Sequence, residues 1–531
     1  MKRTDLTSYC IPKLNQLLSF IVTAGFVLAS TGISVSQTPP KRPNVVIFLA
    51  DDMGYSDLGC FGGEVHTPNL DRMARNGLRY TQFYNTTRCW PSRASILTGY
   101  YAQQVRRDAL PGVQNTGSGG TRPIWARLLP ELLKPAGYRT YHSGKWHLDG
   151  KALEVGFDHS YMLLDTDRHF YPREHLLDDM PLPPVNPDSG YYSTTAIADY
   201  AIRWLKDHQR HFKEQPFFEY VAFICPHFPL QAPAEDIERY RTRFTDGWDV
   251  LRQQRLDRMK KLGILDCDLS ARMPGVPAWN SLTTDEQKVW SDRMAIHAAM
   301  VDRMDQEIGR VVAQIKRMKQ LDNTLMMFLS DNGASAEIVN RGDGNDPAAP
   351  PGSAKSFLCL EPGWANLSNA PLRKSKIFVH EGGISTPLIV QWPAGINTKG
   401  MFRRSPAHLI DLAPTILELA GVTKPNTFNG IQIPPAPGSS MTANFMQDVV
   451  IPHDYLWWFH EGNRAIRVGD WKLVSEGMSS PWELYNLAND RSETRDLSAS
   501  EPIRVQILSD KWKAVLDEFT ALATKNAPPQ N

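Results

Sequence analysis

The sequence predicts an α/β fold in which a large, mostly parallel sheet is sandwiched by helices and is followed by a smaller C-terminal α+β domain with antiparallel strands. Three observations predict it. Unbroken apolar runs, at Val45 to Ala50 and in 324-TLMMFLSDNG-333, read as strands buried on both faces, as a parallel sheet covered by helices requires. Stretches with helical spacing of apolar residues, 196–212 and 285–318, lie between and beside these runs. After Pro414 and a helix through Leu419 the chain turns Pro/Asn/Gly-rich over 422–452, then breaks into short segments such as 464-RAIRVGDWKLV-474 and 482-WELYNL-487.

A chain of 531 residues exceeds the size at which a single core stops growing, so one large domain and one smaller one are expected. Hydrophobic residues at 42% and charged residues at 22% describe a packed chain, not a disordered one. The formal net charge is +1, from 58 basic and 57 acidic residues, which leaves no overall field for nucleic acid or an anionic membrane. Any anion chemistry must be local.

At the start, Lys2 and Arg3 precede the apolar run 17-LLSFIVTAGFVLASTGISVSQ-37, and Ser34-Val35-Ser36 supplies small residues where a signal peptidase cuts. Residues 1–36 read as a secretory signal, with a signal anchor as the competing reading. The mature chain then has no stable membrane span and divides into a main domain, 37–421, and a C-terminal domain, 422–531. It keeps Cys60, Cys89, Cys225, Cys267 and Cys359, too scattered for a disulfide scaffold or a metal site, and odd in number, so that one is unpaired or modified.

The first strand ends in Asp51-Asp52, at the carboxyl end where open α/β sheets place ligands. The run in 324–333 ends in Asp331-Asn332-Gly333. Each alone reads as a turn former; together they bring three carboxylates and an amide oxygen to one place, which requires a cation. All-oxygen ligands favour calcium or magnesium. In 86-TTRCWPSRASILTG-99, Cys89 stands at a helix amino terminus, where free N–H groups favour an anion, and is open to reading as nucleophile, metal ligand, disulfide half or core. The stretch 125–150 reads as helix, turn at Gly137, strand, and a loop carrying Lys145 and His147, two polar groups able to face one ligand or simply to line a rim. The strand in 217-FFEYVAFICPHFPL-230 ends at His227 between two prolines, a stiff setting for an acid, a base or a structural histidine. Residues 341–370 read as a long rim loop, followed by Arg373, Lys374 and Lys376 beside Gly382-Gly383. A last helix spans about 500–523.

Taken in order, these motifs resemble the type I sulfatases of the alkaline-phosphatase-like superfamily. The signature is Cys89-x-Pro91-Ser92-Arg93-x-x-x-Leu97-Thr98-Gly99; Asp51-Asp52, Gly144-Lys145-Trp146-His147-Leu148, Pro226-His227, Asp331-Asn332-Gly333 and Lys376...His380-Glu381-Gly382-Gly383 support it, the last looking most like bacterial arylsulfatases. The resemblance implies an alkaline-phosphatase-like catalytic domain and a sulfuric ester hydrolase. It implies that a formylglycine-generating enzyme, recognising Pro91 and Arg93, oxidises Cys89 to formylglycine, which hydrates to a diol. By the same resemblance Asp51, Asp52, Asp331, Asn332 and a diol oxygen of residue 89 hold one divalent cation, calcium in preference to magnesium. Lys145 and Lys376 contact sulfate, Arg93 fixes the modified residue, and His227, with Lys376, protonates the leaving group. His147 takes the proton from the remaining hydroxyl, so that sulfate leaves and the aldehyde returns. The alternatives are a phosphate or phosphonate ester hydrolase of the same superfamily and a secreted carbohydrate-binding protein. The signal and the calcium preference place the chain in a periplasm or outside the cell, and the substrate is a sulfate ester of an aryl group or a sugar. Loops at 160–190, 240–280 and 334–370 would select it, with Tyr161, Phe170, Trp248 and Trp364 either stacking on its rings or packing.

Overall fold

Alternate residues of the first strand, β1 (Asn44–Ala50), enter different cores, because a strand points successive side chains to opposite faces. In the computed structural model, which describes residues 42–339 and 345–527, Val46, Phe48 and Ala50 join one buried cluster and Val45, Ile47 and Leu49 join another. The first cluster lies under helices Ser193–His211 and Thr284–Arg317, the second under helices Cys89–Thr98 and Leu412–Leu419. This is the helix-covered sheet that the apolar runs predict.

The strands that follow are β2 (Leu78–Tyr84), β3 (Arg139–Lys145), β4 (His159–Leu163), β5 (His175–Leu177), β6 (Met180–Pro181), β7 (Phe217–Ala222), β8 (Thr324–Ser330), β9 (Ser385–Gln391), β10 (Met401–Arg403) and β11 (Ala407–His408). They make an 11-stranded sheet in the order β10-β2-β9-β8-β1-β7-β3-β4-β5-β6, with β11 also on β2. From β8 to β4 every pairing is parallel. Strand β9 runs antiparallel to both its neighbours, and β5 and β6 close the far edge as antiparallel strands.

The helix expected over 285–318 spans Thr284–Arg317; Thr283 accepts from the Glu286 N–H and Glu286 reaches back to Thr283, a capping box that fixes its start. Two expected loops hold helices instead. Gly247–Leu262 lies within 240–280, and Glu361–Ser368 lies within 341–370. The many charged residues of the first and the proline and glycine of the second hid their apolar sides. Trp248 and Trp364 pack there, buried, in edge-on contact with each other at 5.3 Å between ring centroids, so neither presents a ring to a ligand. Tyr161 likewise stacks on Tyr200 at 3.9 Å. The predicted signal and residues 340–344 of the predicted rim loop lie outside the described residues.

Beyond a two-stranded ribbon, β12 (Thr427–Phe428) and β13 (Ile431–Gln432), the C-terminal sheet comprises β14 (Leu456–His460), β15 (Asn463–Val468), β16 (Trp471–Ser475) and β17 (Glu483–Asn486), antiparallel in that order. The final helix is Pro502–Lys525. Alternation again divides the side chains. Trp457, Ile466 and Leu473 pack with Trp512 and Phe519 of the final helix, while Trp458, Ala465 and Val474 pack with Tyr84, Val379 and Ile384 of the main body. Among the described residues, all five cysteines are free and buried, and no helix is long and apolar enough to cross a membrane.

Candidate active site

Strand register brings the two acidic motifs together. Strands β1 and β8 are parallel neighbours with Ala50 opposite Ser330, so the residues that follow, Asp51-Asp52 and Asp331-Asn332, emerge side by side. The Asp331 N–H donates to the Ala50 carbonyl at 3.1 Å, and the Asp52 N–H donates to Asp331 Oδ1 at 3.3 Å. Asp52 holds φ = 64°, a left-handed conformation that turns its side chain away from the strand path. Gly333 is not a hairpin residue here. A Cβ at that position would stand 2.0 Å from the Gly382 carbonyl oxygen, so the segment carrying Lys376 and Glu381 can approach only a glycine.

Three cations face these three buried carboxylates. Lys145, the last residue of β3 and not a loop residue, bonds Asp51 Oδ2 at 2.5 Å; Lys376 bonds Asp52 Oδ2 at 2.8 Å; Arg93 bonds Asp331 Oδ2 through Nη2 at 2.8 Å and Nε at 3.1 Å. A second bond from Arg93, Nη1 to the Lys145 carbonyl at 2.8 Å, ties the helix Cys89–Thr98 to β3. The Asn332 amide donates to Asp52 Oδ1 at 2.6 Å. Two acceptors have no hydrogen-bond partner among the described residues, Asp51 Oδ1 and Asn332 Oδ1, both buried. Burial, and then the neighbouring Asp51 charge, pushes Asp331 up to about 7. Crowded oxygens with unused lone pairs suit a hard divalent cation. Such an ion fits Asp51, Asp52, Asp331 and Asn332. With it the otherwise balanced charges become net positive, a setting for an anionic ligand.

Cys89 opens the helix Cys89–Thr98 beneath this cluster, only 3% exposed, with Lys145, Lys376, Asp51 and Asp331 all within electrostatic reach. Burial raises its thiol above the usual cysteine range despite the two lysines. It is therefore not an activated thiolate. The helix stops at Gly99, whose φ of 76° forms the left-handed cap.

His227 stands 3.7 Å from Asp52 through Nε2, while its Nδ1 lies 2.5 Å from the Phe228 carbonyl. A carbonyl only accepts, so Nδ1 carries the hydrogen and Nε2 bears a proton only when the ring is charged. Burial, followed by Lys145 and Lys376, acts to lower this histidine's pKa to about 4, against Asp52. Lys376, by contrast, keeps its proton: burial opposes its charge, but Asp52 and Glu337 hold its pKa above the usual lysine range. His147 follows β3 with φ = 57°; burial and then Lys145 and Arg93 lower it to about 2, so it is neutral and able to accept a proton. The six predicted catalytic side chains and the four predicted carboxylate and amide ligands thus meet at the carboxyl ends of β1, β3, β7 and β8.

Of the three basic residues at 373–376, only Lys376 faces this site. Arg373 bonds Glu483 at 2.6 Å and Lys374 pairs with Glu476, tying the segment to the C-terminal sheet. The sequence reading missed Glu337, which bonds Lys376 at 2.8 Å and Arg88 at 3.0 Å, and also the Trp90, His460 and Asp108 group beside Cys89. Glu337 lies six residues beyond Asp331 and was within reach of a scan for charge near the motif. His460 is hundreds of residues from Cys89 and carries no local signal.

The sulfatase family profile matches residues 43–422, and the profile described as N-sulphoglucosamine sulphohydrolase, C-terminal, matches residues 374–519. The chain is 34% identical over 522 residues to an uncharacterized sulfatase of Schizosaccharomyces pombe, covering 90% of this chain and 94% of that protein. It is 33% identical over 440 residues to an arylsulfatase of Klebsiella aerogenes, covering 76% and 92%. The crystal structure of Ps i-CgsB in complex with k-i-k-neocarrahexaose superimposes with a TM-score of 0.65 at 24% identity, covering 90% of this chain and 93% of that one, a likeness of fold.

Proposed function

Because the chain belongs to the sulfatase family, we propose that this site hydrolyses sulfate esters to an alcohol or phenol and inorganic sulfate, with residue 89 as nucleophile after oxidation of Cys89 to formylglycine. The observation that carries this reading is the placing of Cys89 at a helix amino terminus between Lys145 and Lys376, beside the carboxylates that would hold a cation. The raised thiol pKa argues against cysteine itself as the nucleophile.

The aldehyde of formylglycine adds water to give a geminal diol. One hydroxyl gives its proton to the Asp331 carboxylate and attacks sulfur in line, the ester oxygen leaves with the electron pair of its bond to sulfur, and a proton from Lys376, or from charged His227, neutralises it. Lys145 and Lys376 stabilise the charge that builds on the sulfate oxygens. His147 then removes the proton of the second hydroxyl, the carbon–oxygen bond to sulfate breaks, and water re-forms the diol. A serine would have no second hydroxyl through which to eliminate sulfate. A calcium ion held by Asp51, Asp52, Asp331, Asn332 and residue 89 supplies, when bound, further positive charge at the attacked sulfate.

Cys89 is buried, so its oxidation by a formylglycine-generating enzyme precedes folding, while Pro91 and Arg93 are still accessible. We place the mature chain in a periplasm or outside the cell, with the oxidation occurring before or during export.

The test is peptide mass spectrometry across residue 89 after co-expression with a formylglycine-generating enzyme, paired with release of one chromogenic phenol from its sulfate and its phosphate ester. Conversion removes about 18 Da from the cysteine peptide, and sulfate-ester turnover is expected to rise with the converted fraction and to vanish on calcium chelation while the aldehyde persists. Full conversion with turnover of the phosphate ester alone would move the assignment to the phosphoryl hydrolases of the superfamily. Full conversion with no turnover of either would leave a binding protein.

A further inference from the structure

Trp90 is held between two histidines. Its ring centroid lies 5.6 Å from that of His147, edge-on at 61°, and 5.5 Å from that of His460, tilted at 59°. The Arg88 guanidinium stands 5.2 Å from the same ring. One short loop grips both ends of this stack. Arg107 donates to the His147 carbonyl at 3.4 Å, and the next residue, Asp108, takes the His460 Nδ1–H between its two oxygens at 3.1 and 3.0 Å. Gln103 braces the loop, donating to Asp108 at 3.1 Å and to the Phe459 carbonyl at 2.6 Å. The C-terminal sheet, through His460 at the end of β14, thereby reaches the residue next to the nucleophile.

His147 depends on outside support. Its left-handed φ is one that a residue with a side chain holds only when its surroundings impose it. Its Nδ1 is buried and has no hydrogen-bond partner among the described residues. A histidine that serves as a base is ordinarily oriented by a carboxylate or carbonyl on its second nitrogen. Here that restraint is missing, and the packed ring of Trp90 takes its place.

We propose that Trp90, backed by the Asp108–His460 pair, is the positioning element that aims His147 during sulfate release. The proposal rests on the formylglycine reading of residue 89. In this step His147 takes the proton from the free hydroxyl of sulfated residue 89. The electron pair of that O–H bond forms the C=O, and the pair of the bond between carbon and the sulfate oxygen leaves with sulfate. No further reactant is needed. Formation of the sulfate–enzyme bond makes no use of His147, so a misaimed ring slows release alone. Such a lesion lowers kcat and KM together and leaves kcat/KM in place, because kcat/KM reports only the steps through sulfuryl transfer.

The experiment uses fully converted, calcium-loaded enzyme and an aryl sulfate, with His147→Ala as the reference and Trp90→Leu, Trp90→Phe, His460→Gln and Asp108→Asn as the variants. In Trp90→Leu and His460→Gln, kcat and KM should fall together by about tenfold, with kcat/KM within about twofold of wild type. The residue-89 peptide should then carry a sulfate adduct about 80 Da above the diol, as in His147→Ala. Trp90→Phe keeps an aromatic edge against His147 and should recover most of the loss. A fall in kcat/KM without the adduct, or unchanged kinetics in both variants, overturns the proposal. Should His460→Gln fail to melt cooperatively, Asp108→Asn, which keeps the side-chain volume, answers in its place by the same two readouts. Failure of the underlying reading shows separately, as a wild type without aldehyde or a His147→Ala enzyme without adduct.

Discussion

Glu219 lies in the middle of β7, fully buried, and neither carboxylate oxygen has a hydrogen-bond partner among the described residues. Its strand neighbours in register are Val46 and Tyr141. Burial raises its pKa well above the usual carboxyl value, so it is a neutral acid in the native protein. The sign of its effect follows. A carboxyl whose folded pKa exceeds its unfolded one weakens the fold as pH rises above the unfolded value, because only the unfolded chain can ionise. We expect Glu219→Leu, similar in size, to stabilise the protein by about 1–3 kcal/mol near neutral pH. The gain should shrink as pH falls toward 4. Thermal melts of both proteins at pH 4.5 and pH 8 measure this, and a gain equal at both values would mean that Glu219 is ionised in the native state. The apolar run was legible in sequence with this acid inside it. Its burial without a partner was not, since a charged residue in a strand ordinarily marks a solvent-facing position.

The element scale is where the sequence reading lost most. Strands β1 and β8 were legible as buried strands and their acidic ends as a joint site, because apolar runs and the residues after them are local properties. Direction was not legible: β9 is a buried strand like β1 and β8, and nothing in 385-STPLIVQ-391 says that it runs antiparallel to its neighbours β2 and β8. The role of Glu381 was equally hidden. Present in the sequence only as part of the motif shared with bacterial arylsulfatases, it anchors β16, since Lys472 bonds Glu381 at 3.0 Å and Glu493 at 2.8 Å, and Arg491 bonds Glu381 at 2.8 Å, all buried. Burial opposes ionisation of Glu381, yet Lys472 and Arg491 bring its pKa down to about 2. A depressed carboxyl contributes stability that is complete above its unfolded pKa near 4.5 and is lost as pH falls toward 2. Lys472→Met should cost about 3–5 kcal/mol at neutral pH, because Glu493 stays buried without a cation and Glu381 keeps only Arg491. It should also flatten the loss of stability between pH 4.5 and 2. Urea melts across that range check both, and an unaltered acid profile would place the acid-sensitive carboxylate elsewhere.

At the scale of the whole molecule, the order of short motifs along the chain was enough to name a fold and to propose a site, because four of the motifs follow the parallel strands β1, β3, β7 and β8, whose carboxyl ends share one edge. The same scan placed a division at 421/422, and we propose that this division separates two architectures without separating two folding units. Main-body residues Tyr84, Val379 and Ile384 have their buried partners in β14–β17, Glu381 has its cations there, and Asp108 has its histidine there. Cutting the chain at 421 would leave Glu381 and Asp108 without these partners and open a face containing Tyr84 and Ile384 to water. Exposed apolar area and unpaired buried charge both act against the isolated piece. We expect a chain ending at residue 421 to be insoluble, or to melt without a cooperative transition, even though it keeps all the proposed catalytic and metal-binding side chains. Circular dichroism melts of that fragment beside the full chain decide the matter. A cooperative melt of the fragment near the full-length temperature would show that the β14–β17 sheet is an appended module, and that its contacts to the main body add nothing to the fold.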